Sequence, residues 1–159
     1  MPIERVKKYF SNYGIENRIL EFDTSSATVE LAAEALGCAP QRIAKTLSFI
    51  VNGKPILIVA AGDSMIDNHK FKEKFLTKAK MIPADKVEEL IGHNVGGVCP
   101  FGINDSVTVY LDVSLKRFDT VFPACGSSNS AIELTIEELE RYSGAKEWIN
   151  VSKLIIDNY

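Results

Sequence analysis

The sequence predicts a mixed α/β (α+β) domain in which helices surround a mixed, mostly antiparallel sheet. Two β-prone runs, residues 46–51 and 55–60, flank Asn52-Gly53, which is a preferred two-residue turn of β-hairpins. The second run is largely apolar, which is typical of a central strand buried on both faces. Helical patterns before and after the hairpin supply the layers that must cover this sheet.

The composition fits a single domain over residues 1–159. Hydrophobic residues make up 46% and charged residues 25% of the chain, close to the average for globular proteins. No apolar run approaches the roughly 18 residues of a membrane span, and the start lacks a signal-peptide pattern, so we expect a cytoplasmic protein without a membrane partner. The net charge of −3 argues against a general coat for DNA or RNA, so any RNA contact must be a local patch.

Helical periodicity combined with start and stop residues predicts five helices. Residues 24–26 offer an N-cap for the second helix, Asp63 or Ser64 for the third, and Thr135 with Glu138 a capping box for the last. Glycines follow four of the five helices, as expected for C-terminal caps. The predicted ranges are residues 2–13, 27–36, 63–76, 83–91 and 135–143.

Shorter strands are predicted at residues 18–22, 107–113 and 131–134. In the strand at 107–113, Val107, Val109 and Leu111 alternate with more polar residues, which favours one buried face. The end of the chain is expected to pack on the body through four apolar side chains: Trp148, Ile149, Leu154 and Ile155.

Residues 96–102 form a constrained loop. Gly96, Gly97 and Gly102 permit unusual backbone angles, while Pro100 fixes its own φ. Such a loop can present main-chain N–H groups to a carbonyl or oxyanion, or its glycines can simply solve a packing problem. A second glycine segment, residues 123–129, is the other candidate for the wall of a site.

Lysines supply two further candidate features. Lys45 begins an otherwise apolar strand, where it either keeps a sheet edge soluble or provides a fixed cation for a carbonyl, carboxylate or phosphate. Lys70, Lys74 and Lys78 lie four residues apart and would share one face of a helix that continued that far. That face is either merely solvated or a local contact for RNA.

The cysteines and histidines show no complete motif. The three cysteines include no Cys-x-x-Cys pair and only two histidines are available, so we expect no disulfide framework, no metal and no cofactor. Cys99 and Cys125 lie in the two glycine segments, but a thiol nucleophile needs an activating base, and the sequence identifies none. His69 and His93 are interpreted as structural or exposed, although His93 lies next to the glycine loop and could line a site.

Four short motifs together resemble the YbaK/prolyl-tRNA synthetase editing-domain family. Each motif is weak alone, but their order and spacing in a chain of this length are fairly specific, and the match runs from about residue 15 to 150. The motifs are Lys45-Thr46-Leu47, Gly96-Gly97-x-x-Pro100-Phe101-Gly102, Ala124-Cys125-Gly126-Ser127 and Thr28-Val29-Glu30-x-Ala32-Ala33.

The resemblance implies a free-standing domain that hydrolyses the ester of a mischarged aminoacyl-tRNA, typically a proline tRNA carrying a small wrong amino acid such as cysteine or alanine. The implied partners are the acceptor end of the aminoacyl-tRNA and an aminoacyl-tRNA synthetase. Lys45, Gly96 and Gly97 take the catalytic positions, and Lys70, Lys74 and Lys78 become tRNA contacts. The remaining site residues would bind substrate: Thr46, Val98, Pro100, Phe101, Gly102, Gly126 and Ser127.

The implied mechanism uses the ribose hydroxyl of the substrate and a bound water, so it needs neither a protein nucleophile nor a metal. The protein contributes position and electrostatic stabilisation. Two other hypotheses remain open, namely a non-catalytic module that binds tRNA or a synthetase, and a small-molecule esterase of the cysteine type.

The chain departs from the family pattern at the second glycine segment. Several relatives carry Ser-Ala-Gly where this chain has Ala124-Cys125-Gly126-Ser127-Ser128. A methylene group is worth only about 1–3 kcal/mol of discrimination, so overlap between small amino acids is expected. The amino acid that is removed therefore stays open.

Overall fold

The computed structural model describes residues 2–155, and this part of the chain contains five α-helices and ten strands. Within these residues, no helix is both long and apolar enough to cross a membrane. The helices are α1 (Pro2–Ser11), α2 (Val29–Leu36), α3 (Asn68–Phe75), α4 (Ala84–Ile91) and α5 (Ile136–Ser143). The strands are β1 (Leu20–Glu21), β2 (Ile43–Val51), β3 (Lys54–Ala61), β4 (Ser64–Ile66), β5 (Thr108–Asp112), β6 (Thr120–Pro123), β7 (Ser130–Ala131), β8 (Leu134–Thr135), β9 (Glu147–Ile149) and β10 (Ser152–Leu154).

The hairpin of β2 and β3 lies at the centre of the main sheet. The two strands pair antiparallel over eight residue pairs. Asn52 and Gly53 form the turn with φ of 51° and 77°, the positive values that a type I′ turn requires. Every residue of β3 after Lys54 is buried, which confirms the prediction of a central strand covered on both faces.

The main sheet has six strands in the order β8-β6-β2-β3-β5-β9, and its mixed character confirms the predicted fold class. Three of its five pairings are parallel, namely β2 with β6, β3 with β5, and β5 with β9. Long crossovers, such as the one through α3 and α4, return the chain to the same end of the sheet and so permit parallel pairing. The sequence predicts mostly antiparallel pairing. Antiparallel pairs outnumber parallel pairs only when the small sheets β1–β7 and β4–β10 are also counted.

Two apolar clusters cover the opposite faces of the hairpin. Leu57 and Val59 lie in the larger cluster, to which α1, α4 and α5 contribute. Ile58 points to the other face and lies in the smaller cluster with Phe71 of α3. Because side chains alternate along a strand, α1 and α3 cover opposite faces of the sheet. A third cluster joins α2 to the start of β2 and to β6.

Several helix ends are as the sequence predicts. Thr135 and Glu138 form the full capping box of α5, each side chain accepting a main-chain N–H group of the other residue. Gly92 and Gly144 end α4 and α5 in the left-handed conformation. These boundaries depend on local hydrogen bonds and backbone freedom, which the sequence specifies directly.

The predicted N-caps of α2 and α3 are wrong. Thr28 caps α2 in place of residues 24–26, because Ser26 N–H donates to Ser128 O and holds that segment along the second glycine segment. Residues 64–66 form β4 and pair with β10, so Asp67 caps α3 instead of Asp63 or Ser64.

Three strand predictions also need correction. Residues 18–22 form the end of a 3-10 helix followed by the short β1, and residues 131–134 contribute to two separate strands, β7 and β8. Both faces of β5 are covered, because Val109 and Leu111 lie in the larger apolar cluster and Tyr110 lies in the smaller one. At its end Asp112 is fully buried and accepts hydrogen bonds from Val151 N–H at 2.9 Å and Ser152 Oγ at 2.6 Å.

The C-terminal packing is confirmed only in part. Ile149 is buried and Trp148 packs against the larger cluster. Leu154 and Ile155 are each 51% exposed, so they do not anchor the tail. Residues 156–159 of the predicted tail lie outside the described residues.

An ion pair between Arg18 and Glu138 ties the segment before β1 to α5. Arg18 Nη1 lies 2.6 Å from Glu138 Oε2, and Glu138 also accepts the N–H group of Thr135 at 2.9 Å. Mainly through the bond from Arg18, the pKa of Glu138 falls from 4.5 to about 2. A depressed carboxyl pKa stabilises the fold above about pH 4.5, and this contribution is lost as the pH falls through about 2.

We predict that Arg18→Gln lowers the free energy of unfolding at pH 7 by about 1 kcal/mol, since partly exposed ion pairs contribute modestly. The difference from the wild-type protein should shrink between pH 4.5 and pH 2. Urea unfolding at a series of pH values measures it, with Lys8→Gln as a control for loss of one surface charge. An equal difference at pH 7 and pH 2 would contradict the role of the Glu138 charge.

Candidate functional site

A cavity of about 440 Å³ lies at the outer edge of β2. Its walls come from residues 26–32 at the start of α2, from β2 itself, from residues 81–87, from the glycine loop and from residues 122–131. Lys45 and Thr46 line it together with Gly96 and Val98. The fold therefore brings the lysine motif and the glycine loop to one cavity, although about fifty residues separate them in sequence.

The cavity coincides with a gap in the hydrogen bonding of β2. The neighbouring strand β6 pairs with β2 only as far as Ala44. Pairing resumes at Ser48, whose main-chain oxygen accepts the N–H group of Ile82 at 3.1 Å. Alternate residues of a strand direct their N–H and C=O groups to the same edge, so those of Thr46 point into the gap. In the described residues, no main-chain hydrogen bond joins Thr46 to either neighbour of this edge.

The side chain of Thr46 adds a third polar group. Its Oγ1 is buried and has no hydrogen-bond partner among the described residues. A buried polar atom without a partner costs about 1–3 kcal/mol, so native proteins keep few of them. Thr46 thus places a main-chain donor, a main-chain acceptor and a hydroxyl, which can donate or accept, at the cavity.

Lys45 is held at the cavity by its own hydrogen bond. Its Nζ donates to Ser64 O. Burial lowers the pKa of the Lys45 ammonium group, while the negative charges of Asp63 and Glu30 oppose that shift. The side chain therefore supplies a positioned, partly desolvated donor at the cavity wall.

The two glycine segments pack on each other, main chain against main chain. A Cβ atom at Gly97 would lie 2.6 Å from Ser127 N and 2.7 Å from the carbonyl carbon of Gly126. Gly97 N–H donates to Asn94 O at 3.1 Å, so it is engaged within the turn. Gly96, with φ of 95°, is the glycine of this loop that lines the cavity. Gly97 is therefore a packing residue, and the half-buried Gly96 is the glycine that faces the cavity.

A buried histidine just before the glycine loop contacts the second half of the loop. His93 is fully buried, and its Nε2 lies 2.6 Å from Phe101 O and 3.5 Å from Cys99 Sγ. Burial lowers the pKa of His93, which favours the neutral ring that donates from Nε2. His93 does not line the cavity. Its position agrees with the structural interpretation.

The two cysteines of the glycine segments are core residues. Cys99 and Cys125 are fully buried, and burial raises the pKa of Cys99 to about 12 and that of Cys125 well above its usual value. Thiols held in this state are not nucleophiles at neutral pH. The structure thus argues against the cysteine-type esterase hypothesis. Among residues 2–155, no group of three His, Cys, Asp or Glu side chains could hold a metal ion.

Five of the predicted substrate contacts lie outside the cavity wall. Phe101 is fully buried and stacks against Phe10 of α1 with ring centroids 4.7 Å apart, so it is removed from the candidate contacts. A Cβ at Gly102 would lie 3.1 Å from Arg5 O, and Pro100 is buried beside it. These residues hold the loop on α1 and do not face the cavity.

Most of the second glycine segment likewise packs behind the cavity wall and does not face the cavity. Gly126 packs against α1, since a Cβ there would lie 2.8 Å from Pro2 O. Ser127 Oγ lies 2.7 Å from Ser130 Oγ, and Ser130 does line the cavity. The departure from the family pattern at Cys125 consequently affects the core behind the wall, while Ala124 forms part of the wall itself.

The three predicted tRNA lysines do not form one free face. Lys70 Nζ donates to Ser152 O at 2.8 Å, and Lys74 Nζ lies 2.6 Å from Glu147 Oε1. Lys78 lies beyond α3, which ends before Leu76 takes a left-handed φ of 61°. The premise of a shared helix face is therefore wrong, and Lys70 and Lys74 are engaged within the protein.

Sequence reasoning missed a large part of the cavity wall. Ser26, Val29, Met81, Val87 and Val95 all line it. Local sequence patterns place these residues in helices or connecting segments. Nothing local indicates which distant residues they contact. The motif at residues 28–33 was the one available signal, since it places the start of α2 among the family features.

We predict that Gly97→Ala separates the two glycine segments, because the added methyl group meets main-chain atoms that cannot rotate away. Amide hydrogen exchange of residues 126–130 should increase, and the free energy of unfolding should fall by about 1–3 kcal/mol. Gly14→Ala is the control, since a Cβ there meets nothing within 4 Å and the change costs only the left-handed conformation. Unchanged exchange at residues 126–130 in Gly97→Ala would contradict the contact.

Comparisons with known proteins identify the family of the chain. The family model of the aminoacyl-tRNA editing domain matches residues 23–142. The chain is 56% identical over 154 residues to YwhH of Bacillus subtilis (strain 168), an uncharacterized protein, with 96% of this chain and 98% of YwhH covered. It is 27% identical over 109 residues to the proline–tRNA ligase of Geobacillus thermodenitrificans, covering 68% of this chain but only 19% of the ligase.

Solved structures show the same fold. A crystal structure of a candidate trans-editing enzyme for prolyl tRNA synthetase superposes with a TM-score of 0.86 at 26% identity, covering 96% of this chain and 97% of the other. The hypothetical protein APE2540 gives a TM-score of 0.83 at 29% identity over 94% of this chain and 99% of the other. With three quarters of its length matched by the family model, the chain belongs to the aminoacyl-tRNA editing domain family.

Proposed function

We propose that this protein is a free-standing deacylase that hydrolyses the ester bond of a mischarged aminoacyl-tRNA in the cytoplasm. The proposed substrate is a proline tRNA that carries a small wrong amino acid such as cysteine or alanine. The observation that carries the proposal is the gap at Thr46, where three polar groups without a hydrogen-bond partner in residues 2–155 lie in one cavity with Lys45. An aminoacyl ester has the complementary groups, a carbonyl oxygen and an α-amino group, on adjacent carbon atoms.

Thr46 binds the polar end of the amino acid. Its main-chain N–H donates to the ester carbonyl oxygen, which becomes the oxyanion during hydrolysis. Its C=O and Oγ1 accept from the α-amino group. Because these groups are fixed by the pairing of β2 with β3, they need little reorganisation when charge develops on the oxygen.

Lys45 and the glycine loop complete the site. The Lys45 ammonium group stabilises negative charge near the ribose end of the ester, either on the developing oxyanion or on the adjacent phosphate. Gly96 lets the loop approach the aminoacyl group closely, since it has no side chain at the cavity wall. Gly97 does not contact the substrate and instead packs the loop against the second glycine segment.

Water performs the chemical step. A water molecule, oriented by the free ribose hydroxyl of the substrate, attacks the carbonyl carbon, and the bond from that carbon to the esterified ribose oxygen breaks. The proton passes from the water to the leaving ribose oxygen, so the products are a free amino acid and an uncharged tRNA. The burial of Cys99 and Cys125 supports a route without a thiol nucleophile.

The walls of the cavity favour a small side chain. Val87, Val98 and Ala124 present apolar atoms to the space beside Thr46. Apolar walls of this kind discriminate by size, at about 1–3 kcal/mol for each methylene group. We therefore infer graded activity on alanine, cysteine and similar residues instead of strict specificity for one.

We predict that Lys45→Met lowers kcat/KM for a mischarged tRNA by about 10²–10³-fold, the range seen when one oxyanion-stabilising donor is removed. Methionine keeps most of the side-chain length, so the cavity wall is retained. A deacylation screen with several mischarged tRNAs measures the rate, and Lys8→Met controls for loss of a surface lysine. Wild-type rates in Lys45→Met would remove Lys45 from the proposed mechanism.

Thr46→Val is predicted to have opposite effects on stability and activity. It removes a buried oxygen that lacks a partner, so the free energy of unfolding should rise by about 1 kcal/mol. It also removes one acceptor for the α-amino group, so kcat/KM should fall about threefold to tenfold. Thr46→Ser keeps the hydroxyl and should stay near the wild-type rate, and a fall equal to that of Thr46→Val would contradict a role for Oγ1.

A non-catalytic module that binds tRNA or a synthetase is the alternative function. The chain matches only 19% of the proline–tRNA ligase, so the matched region is one part of a larger synthetase. This match favours an association of the protein with a synthetase. Tight binding of aminoacylated tRNA without hydrolysis above the buffer rate, across the panel of amino acids, would establish this alternative.

A further inference from the structure

A second cavity lies between α3 and the segment that follows it. It measures about 400 Å³, and its lining consists of Asn68, His69, Lys72, Lys78 and Ala79. Two lysines and a histidine therefore converge on one concave surface. None of these residues belongs to the cavity beside Thr46.

This surface is strongly basic in an acidic protein. Residues 68–80 contain five lysines and one glutamate, whereas the whole chain has a net charge of −3. Glu73 is the single acidic residue of the segment, and it lies 2.8 Å from His69 Nε2. A like-charged cluster of this kind is repulsive in the free protein, and an anion in the cavity would relieve the repulsion.

Some lysine side chains of this segment bind other residues of the protein, and the others have no such contact within residues 2–155. Lys70 and Lys74 hold β9, β10 and the turn between them. Lys72, Lys78 and Lys80 are exposed and make no ion pair or side-chain hydrogen bond within residues 2–155. The available lysines are therefore those that line or adjoin the second cavity.

The chain itself connects the two cavities. Lys78 and Ala79 line the basic cavity, while Met81 and Ile82 line the cavity beside Thr46. Ala79 and Met81 are two residues apart, so their Cα atoms are at most about 7 Å apart. Met81 is 56% exposed and offers an apolar surface between the two cavities. One continuous ligand could follow residues 78–82 from one cavity to the other.

We propose that the basic cavity binds phosphodiester groups of the RNA strand whose aminoacylated end occupies the cavity beside Thr46. This inference rests on the proposed function. Lys72 and Lys78 neutralise backbone phosphates, Lys80 lies on the path between the cavities, and Met81 contacts a nucleobase or ribose. The contacts are to the backbone, so they contribute affinity that is independent of sequence.

Salt dependence of tRNA binding tests the proposal directly. Binding of uncharged tRNA is measured from 50 to about 300 mM salt for the wild-type protein, Lys72→Gln, Lys78→Gln and the control Lys8→Gln. Each variant at the basic cavity should weaken binding at low salt, and the slope of log K against log salt should decrease by about 0.7–0.9 for each lysine. Lys8 is exposed on α1, which covers the opposite face of the sheet from α3, so Lys8→Gln should keep the wild-type slope.

A substrate without phosphates provides the second measurement. The 3′-aminoacyl ester of adenosine reaches the cavity beside Thr46 but has nothing to place in the basic cavity. Lys72→Gln and Lys78→Gln should hydrolyse this ester at the wild-type rate while losing kcat/KM on the full tRNA. Equal losses on both substrates would overturn the proposal, because they would indicate a change in the reaction site.

The two proposals fail in different ways. Wild-type slopes in Lys72→Gln and Lys78→Gln, alongside normal deacylation, would overturn the basic cavity alone. Absence of hydrolysis in the wild-type protein would overturn the deacylase proposal, yet reduced slopes in the two variants would still support a phosphate-binding cavity. All three changed lysines are exposed, so the variants are expected to fold.

Discussion

The antiparallel pairing of β2 with β3 is the interaction on which the rest of the structure depends. It spans eight residue pairs and places the almost fully buried β3 at the centre of the sheet. Both apolar clusters form against this hairpin, with α1, α4 and α5 on one face and α3 on the other. Every other strand of the main sheet is added outward from these two strands.

The site arises where that outward addition is incomplete. On one side of β2, β6 ends its pairing at Ala44, and residues 80–82 begin theirs at Ser48. Closing the gap would satisfy the polar groups of Thr46 and fill the cavity. An open sheet edge is normally a liability, so its presence inside a cavity supports the proposal that a ligand completes the pairing.

Of the two roles that its composition allows, the glycine loop mainly has the packing one. Its glycines mainly allow close packing, with Gly97 against the second glycine segment and Gly102 against α1. His93, just before the loop, adds a hydrogen bond to Phe101 O near the loop's end. The polar groups at the site come mostly from β2, so the loop shapes a cavity whose donors and acceptors lie on a rigid strand, which favours precise positioning.

The sequence by itself determined the features that depend on neighbouring residues, namely the Asn52-Gly53 hairpin, the buried β3, the capping box of α5 and, through four motifs, the family. Tertiary structure alone decided which polar groups reach the cavity. Among residues 2–155, the outer edge of Thr46 has no main-chain partner because two distant segments stop short of it. Lys70 and Lys74 are engaged because β9 and β10 return beside α3. Such contacts join residues far apart in sequence, so their outcome depends on the packing of the whole chain and not on any local pattern.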